Sequence, residues 1–266
     1  MRGGDPGISE FKAALLASKG YTSLTLAYHG LEGLPRLNER FTVPATFQSK
    51  IELEYFERAI DILRNHESVR KRLGVGVLTI CASVPIGLMM AANLKHIRCA
   101  VQINGPTYAI YTDYTYKGTT YKSLNTTYSP TYADPDVITN YSIDVPDPLH
   151  PSPPECLIKF ADQHHIPFLF LVSMQDKLLP TSDYADAAEV LLKQSKHPDY
   201  KIIRYPGAGH LLEPSYTPLN NENWFPVFGK LFMHGGENPA HNRAQELSWK
   251  EQLGFFKRNL SPKPAL

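Results

Sequence analysis

Residues 75–95, VGVLTICASVPIGLMMAANLK, constrain the fold of this chain more than any other stretch. An apolar run rich in β-branched residues stops at Cys81, small residues flank it, and a helix-like apolar run follows Pro85. The first run reads as a buried strand and the second as a helix buried on most sides. A strand that hands over to a helix through a tight turn holds the central side chain of that turn above the end of a sheet. Two readings of Cys81 follow: a small packing hydrophobe, or a thiol presented for attack.

The same alternation continues along the chain. Strands are expected near 22–28, 74–80, 99–103, 167–173 and 201–205, and helices near 9–18, 51–65, 84–95, 182–196 and 241–258. Leu53, Phe56, Ile60 and Leu63 share one face of the second helix, and Trp249, Leu253, Phe256 and Leu260 form a stripe on the last. Thr181 or Ser182 is a natural cap for the fourth helix, and residues 30–50 read as a loop. Apolar strands alternating with helices imply an α/β fold, a mostly parallel sheet with helices on both faces. Residues 104–155 break the rhythm. Eight of the 15 tyrosines fall there and the segment ends in VPDPLHPSPPE, which implies an ordered excursion over one end of the sheet with room for short helices, since a structureless linker is poorer in aromatics. The expectation is one domain over residues 1–266.

Composition removes several functional classes. A formal net charge of +1, with no basic stripe interleaved with aromatics, gives no case for nucleic acid. Cys81, Cys99 and Cys156 are too few and too scattered for a disulfide framework or a zinc cluster. The start, MRGGDPGISEF, has the pattern of neither a signal nor a transit peptide, and no window has the apolar length to span a bilayer. A cytoplasmic protein with no cofactor and no membrane span is expected.

Two further strand ends carry chemistry. FLFLVS is followed by MQDKLLP, which places Asp176 just beyond it, and KIIRY is followed by PGAGHLLEP, a glycine-rich turn carrying His210. Carboxyl ends of strands in an open α/β sheet converge on one edge, where ligands bind. Cys81, Asp176 and His210 would meet there in the order nucleophile, acid, histidine. A histidine takes a thiol proton near neutral pH, and a carboxylate on its far nitrogen fixes the tautomer and stabilises the imidazolium. The helix after Cys81 favours the thiolate, and the backbone N–H of Ala82 is a natural oxyanion donor. Asp183 and Asp186 read as charges on the following helix.

Beside these residues, the blocks VGVLTICASVPIGLMMAANLK (75–95), IRYPGAGHLLEPSYTPL (203–219) and HGGENPAHNRAQELSWKEQLGFF (234–256) give the chain a close resemblance. It resembles the C-terminal α/β-hydrolase domain of the acyl-CoA thioesterase and bile acid-CoA:amino acid N-acyltransferase family. The resemblance implies a nucleophile–acid–base triad on Cys81, Asp176 and His210, and an acyl-CoA substrate whose coenzyme A is part of the substrate rather than a cofactor. It implies hydrolysis to a free acid or, alternatively, transfer of the acyl group to glycine or taurine. A third expectation is a catalytically impaired domain kept for interaction. The family's nucleophile turn has glycines where this chain has Thr79 and Ser83, and a β-branched threonine fits a strained turn poorly. The resemblance also implies an N-terminal β-sandwich domain missing here, and a second oxyanion donor from the loop Gly3–Gly7. Asp5 and Pro6 depart from the family's glycine run in that loop, and a proline has no N–H to offer. The ending Pro264-Ala265-Leu266 lacks the basic middle residue of a peroxisomal tripeptide.

Overall fold

The computed structural model describes Met1 and residues 8–36, 50–69, 74–124, 128–143, 145–225 and 229–261. The loop Gly3–Gly7, most of the expected loop at 30–50 and the ending Pro264–Leu266 therefore lie outside the described residues.

A four-stranded parallel sheet sits at the centre, formed by β1 (Val75–Ile80), β2 (Ile97–Ile103), β3 (Phe168–Ser173) and β4 (Tyr200–Tyr205), neighbours in that order. Side-chain alternation splits the core in two. Phe168, Phe170 and Val172 of β3 join the cluster under α2 (Leu53–Asn65), α3 (Val84–Asn93) and α4 (Thr181–Gln194). Leu169 and Leu171 point to the other face, with Phe255 and Phe256 of α5 (Ala240–Leu260). Helices thus cover both faces, as an all-parallel sheet requires. The N-terminal helix, α1 (Phe11–Ala17), buries none of its residues. Its Lys12 forms an ion pair of 2.6 Å with Glu213, just beyond His210 in sequence. Among the described residues no helix is long and apolar enough to cross a membrane.

Four expectations are corrected or extended. Residues 22–28 have the composition of a strand but form none. A strand exists by pairing, and no described backbone lies beside this segment in a ladder. The ordered excursion at 104–155 carries strands that were not expected, at Tyr114–Tyr116, Thr119–Tyr121, Tyr128–Asp134 and Val137–Ile143, and among its described residues the one short helix is a 3-10 turn at Pro154–Cys156. Its tyrosines and threonines favour strands, and Lys117 and Gly118, both at positive φ, close the first hairpin. The first hairpin pairs with Ile51–Glu52 in a small three-stranded sheet, whereas Tyr128–Asp134 and Val137–Ile143 form a separate four-stranded sheet with Glu222–Phe225 and Lys230–Met233. Neither Thr181 nor Ser182 caps α4; Thr181 is buried and donates to the Ser173 carbonyl at 3.0 Å. On α5 the buried face carries His241, Gln245, Ser248 and Gln252 beside Trp249 and Phe256, whereas Leu253 and Leu260 are half-buried.

Candidate functional site

The turn after β1 is tight. Cys81 has φ +59°, the left-handed region that non-glycine residues seldom enter, and Cys81–Ser83 form a single 3-10 turn running into α3. The Cys81 side chain is half-buried, whereas Cys99 and Cys156 are fully buried. Thr79 does fit beneath this turn, because the room comes from the opposite wall. A Cβ on Gly87 of α3 would lie 2.7 Å from the Thr79 hydroxyl, and one on Gly105 would lie 2.3 Å from the Cys81 carbonyl oxygen. Thr79 is buried and its hydroxyl donates to Gln102 on the adjacent strand. Ser83 is buried as well. Its Oγ accepts the Ile80 N–H at 3.0 Å and lies 2.9 Å from the Ile80 carbonyl, so the residue braces the turn from inside.

Asp176 and His210 meet just beyond the ends of β3 and β4. His210 Nδ1 and Asp176 Oδ2 are 2.6 Å apart, and both side chains are 1% exposed. The other carboxylate oxygen accepts the N–H groups of Leu178 (2.8 Å) and Leu179 (3.0 Å), so Asp176 is oriented from both sides. With Nδ1 taken, Nε2 is the ring nitrogen left for Cys81. Nε2 is buried and makes no hydrogen bond with the described residues, while the Cys81 sulfur is near enough to act on the ring's titration. Burial disfavours a charged imidazole, but Asp176 and then Cys81 outweigh it and hold His210 well above its ordinary pKa. Ala82 is buried in the first turn after the sulfur, where helical N–H groups lack intrahelical partners. Asp183 and Asp186 stand on α4, and Asp186 pairs with Arg204 at 2.5 Å.

Two residues that hold this arrangement escaped the sequence reading. Asn104 follows β2 with φ +46° and is buried. Its amide donates to the His210 carbonyl (2.7 Å) and to Ser173 Oγ (2.8 Å), and its oxygen accepts the Ser173 N–H (2.8 Å). One side chain thus ties the strand end before Asp176 to the turn carrying His210. The other residue is His241 on α5, whose Nδ1 accepts the Gly209 N–H at 3.0 Å. Burial lowers its pKa, which keeps that nitrogen free to accept. The HGG segment packs backbone against backbone here. The His234 carbonyl accepts the His210 N–H at 2.8 Å, and a Cβ on Gly209 would lie 2.1 Å from the Gly235 carbonyl. An asparagine just past a strand was the one signal available for Asn104, since asparagine tolerates positive φ. Among the described residues no group of three or more His, Cys, Asp or Glu is placed to hold a metal ion.

Comparison with known proteins gives consistent results. A family model described as BAAT / acyl-CoA thioester hydrolase C terminal matches residues 51–262. The bile acid-CoA:amino acid N-acyltransferase of Mus musculus is 36% identical over 261 residues, covering 98% of this chain and 59% of the relative. Acyl-coenzyme A thioesterase 1 of Homo sapiens is 34% identical over 266 residues, with the same two coverages. The chain therefore spans about three-fifths of the length of these curated relatives. A solved acylaminoacyl peptidase of Pyrococcus horikoshii superposes with a TM-score of 0.40 at 15% identity, over 80% of this chain and 27% of that one.

Proposed function

Because the chain belongs to the BAAT / acyl-CoA thioester hydrolase C-terminal family, we propose that it cleaves the thioester of an acyl-coenzyme A through an acyl intermediate on Cys81. The observation that carries this reading is the buried His210–Asp176 pair at 2.6 Å, with Cys81 close enough to raise the ring's pKa. His210 takes the thiol proton, and the sulfur attacks the thioester carbonyl carbon. The oxyanion that forms is held by the Ala82 N–H and by a second donor expected within Gly3–Gly7. Collapse breaks the bond to the coenzyme A sulfur, which leaves with the proton from His210. His210 then takes a proton from water, the hydroxide attacks the acyl carbon, and the Cys81 sulfur departs and recovers its proton as the free acid leaves. Asp176 orients the ring and stabilises its charged form throughout.

A second reading replaces water with glycine or taurine and yields an amide. It is favoured by the mouse and human relatives at 36% and 35% identity, both named bile acid-CoA:amino acid N-acyltransferase. Incubating the purified protein with palmitoyl-CoA, with and without excess glycine and taurine, separates the two. Free acid and coenzyme A are expected. Amide in excess of acid would replace hydrolysis with transfer. No product above a Cys81→Ala control would leave only the third expectation, a hydrolase-like domain kept for interaction.

A further inference from the structure

β2 lies between the strand that ends at Cys81 and the strand that ends before Asp176, so its own end faces both. Asn104 and Gly105 stand there. Gly105 brings bare backbone against the Cys81 turn, where a Cβ would strike the Cys81 carbonyl and Val84. Asn104 is buried at φ +46°, a backbone that asparagine adopts more readily than most residues. Both hydrogens of its amide are used, one on the His210 carbonyl and one on Ser173 Oγ, while its oxygen takes the Ser173 N–H. Those partners force the orientation of the amide, because a carbonyl only accepts and a backbone N–H only donates. Ser173 is in turn the post from which the Asp176 loop leaves. Its carbonyl accepts the Asp176 N–H at 3.4 Å and the Thr181 hydroxyl at 3.0 Å. The backbone of His210 is thus gripped on both sides, its N–H by the His234 carbonyl and its C=O by Asn104.

With His210 read as the proton carrier of the proposed reaction, we propose that Asn104 is its positioning residue. Asn104 holds the His210 turn and the Asp176 loop at one separation, so that the imidazole stays on the Asp176 carboxylate and its other nitrogen is left for Cys81. It acts through the His210 backbone and through Ser173. The contact it protects is short. His210 Nδ1 and Asp176 Oδ2 are 2.6 Å apart, and a shift of about 1 Å in the turn would open them beyond hydrogen-bond range. The three bonds of Asn104 are buried with the groups they join, so a lost partner is not readily replaced by bulk water. Asparagine also fits the task chemically. Aspartate could accept from the Ser173 N–H but could not donate to the His210 carbonyl.

Proton NMR reads the His210–Asp176 pair directly, so the result does not depend on turnover. The native chain should show a low-field resonance for the Nδ1 proton shared with Asp176, missing in an Asp176→Asn control. Asn104→Gly keeps the left-handed backbone and deletes the side chain, and Asn104→Ser leaves a hydroxyl too short to bridge both partners. Both variants should lose that resonance or move it upfield. His210 should also titrate at lower pH than in the native chain, because against the cost of burial Asp176 is the main influence raising this ring's pKa. With palmitoyl-CoA, kcat should fall about 10- to 100-fold at little-changed KM. A residue that merely packs the strand end would lower the melting temperature and leave the resonance and the titration native. That result in a folded variant would overturn the proposal, and so would a native chain without the resonance, which would have no pair to position. A resonance present in the native chain and lost in the variants, with palmitoyl-CoA left intact throughout, would support the positioning role and sink the thioester reading alone.

Discussion

The two flanks of the parallel sheet are finished to different degrees. On the β3–β4 flank every strand end is tied down: Asp176 by two backbone N–H groups, the His210 turn by Asn104, the His234 carbonyl and His241. On the β1 flank the strand that ends at Cys81 borders a groove. The proposed acid and base come from the closed flank, while the sulfur of the proposed nucleophile rises at the open one. In the proposed reaction the closed flank supplies proton transfer and the open flank supplies the oxyanion site. Damage to either should have a distinct signature.

The largest effects are expected at the closed flank. Asp176→Asn removes the group that fixes the His210 tautomer and should lower palmitoyl-CoA turnover on the order of 10⁴-fold. An unchanged rate would show that the His210–Asp176 contact is structural only. The pH dependence follows from the raised His210 pKa. A ring that holds its proton more tightly when folded contributes stability that is complete below its unfolded pKa, about 6.5, and is lost as pH rises through the folded value. The melting temperatures of the native protein and Asp176→Asn should therefore differ most near pH 6 and converge above the folded pKa. A gap that widened with pH would reverse the assignment.

Cysteine labelling compares the flanks directly. Burial pushes the Cys99 thiol up to about 12 and the Cys156 thiol up to about 11, and both side chains are inaccessible. Iodoacetamide at pH 7.5 should modify Cys81 on the order of 100-fold faster than either. Equal rates in the folded protein would remove the evidence for an activated thiol, and with it the strongest distinction between an enzyme and a domain kept for interaction.

What could be read from the sequence follows the same division. The strands at 75–80, 97–103, 168–173 and 200–205 were legible as apolar runs, nearly unbroken at 168–173 where both faces are covered and interrupted by Arg98 and Gln102 in the second and by Lys201 and Arg204 in the last. Cys81, Asp176 and His210 could be singled out because each follows such a run. The segment at 22–28 misled for the converse reason: its composition is that of a strand, but pairing depends on backbone elsewhere. Asn104 and His241 were hidden because they act through backbone groups distant in sequence, which leave no periodic trace. The apolar stripe on α5 holds at Trp249 and Phe256, but it did not show the polar part of the buried face, where His241 accepts from the His210 turn and Gln245 contacts His241.

The smallest expected effect tests how the nucleophile turn accommodates Thr79. A β-branched threonine was expected to fit the strained turn poorly, whereas the structure lodges Thr79 against Gly87 of α3 and gives its hydroxyl a partner in Gln102. Gly87→Ala would set a methyl group 2.7 Å from the threonine oxygen and 2.8 Å from its methyl. Both contacts are below ordinary van der Waals distance and both residues are buried, so overpacking should cost about 1–3 kcal/mol. Thr79→Gly alone should cost a similar amount, through a lost hydrogen bond, added backbone freedom and a small void. The double variant, which moves the small residue from helix to strand, should cost less than the sum of the two by about 1 kcal/mol or more, measured by urea unfolding. Strict additivity would mean that Gly87 is not what makes room for Thr79. The glycine-to-threonine exchange at the turn would then have to be absorbed on the open flank, and Cys81 labelling in Gly87→Ala would stay at the native rate.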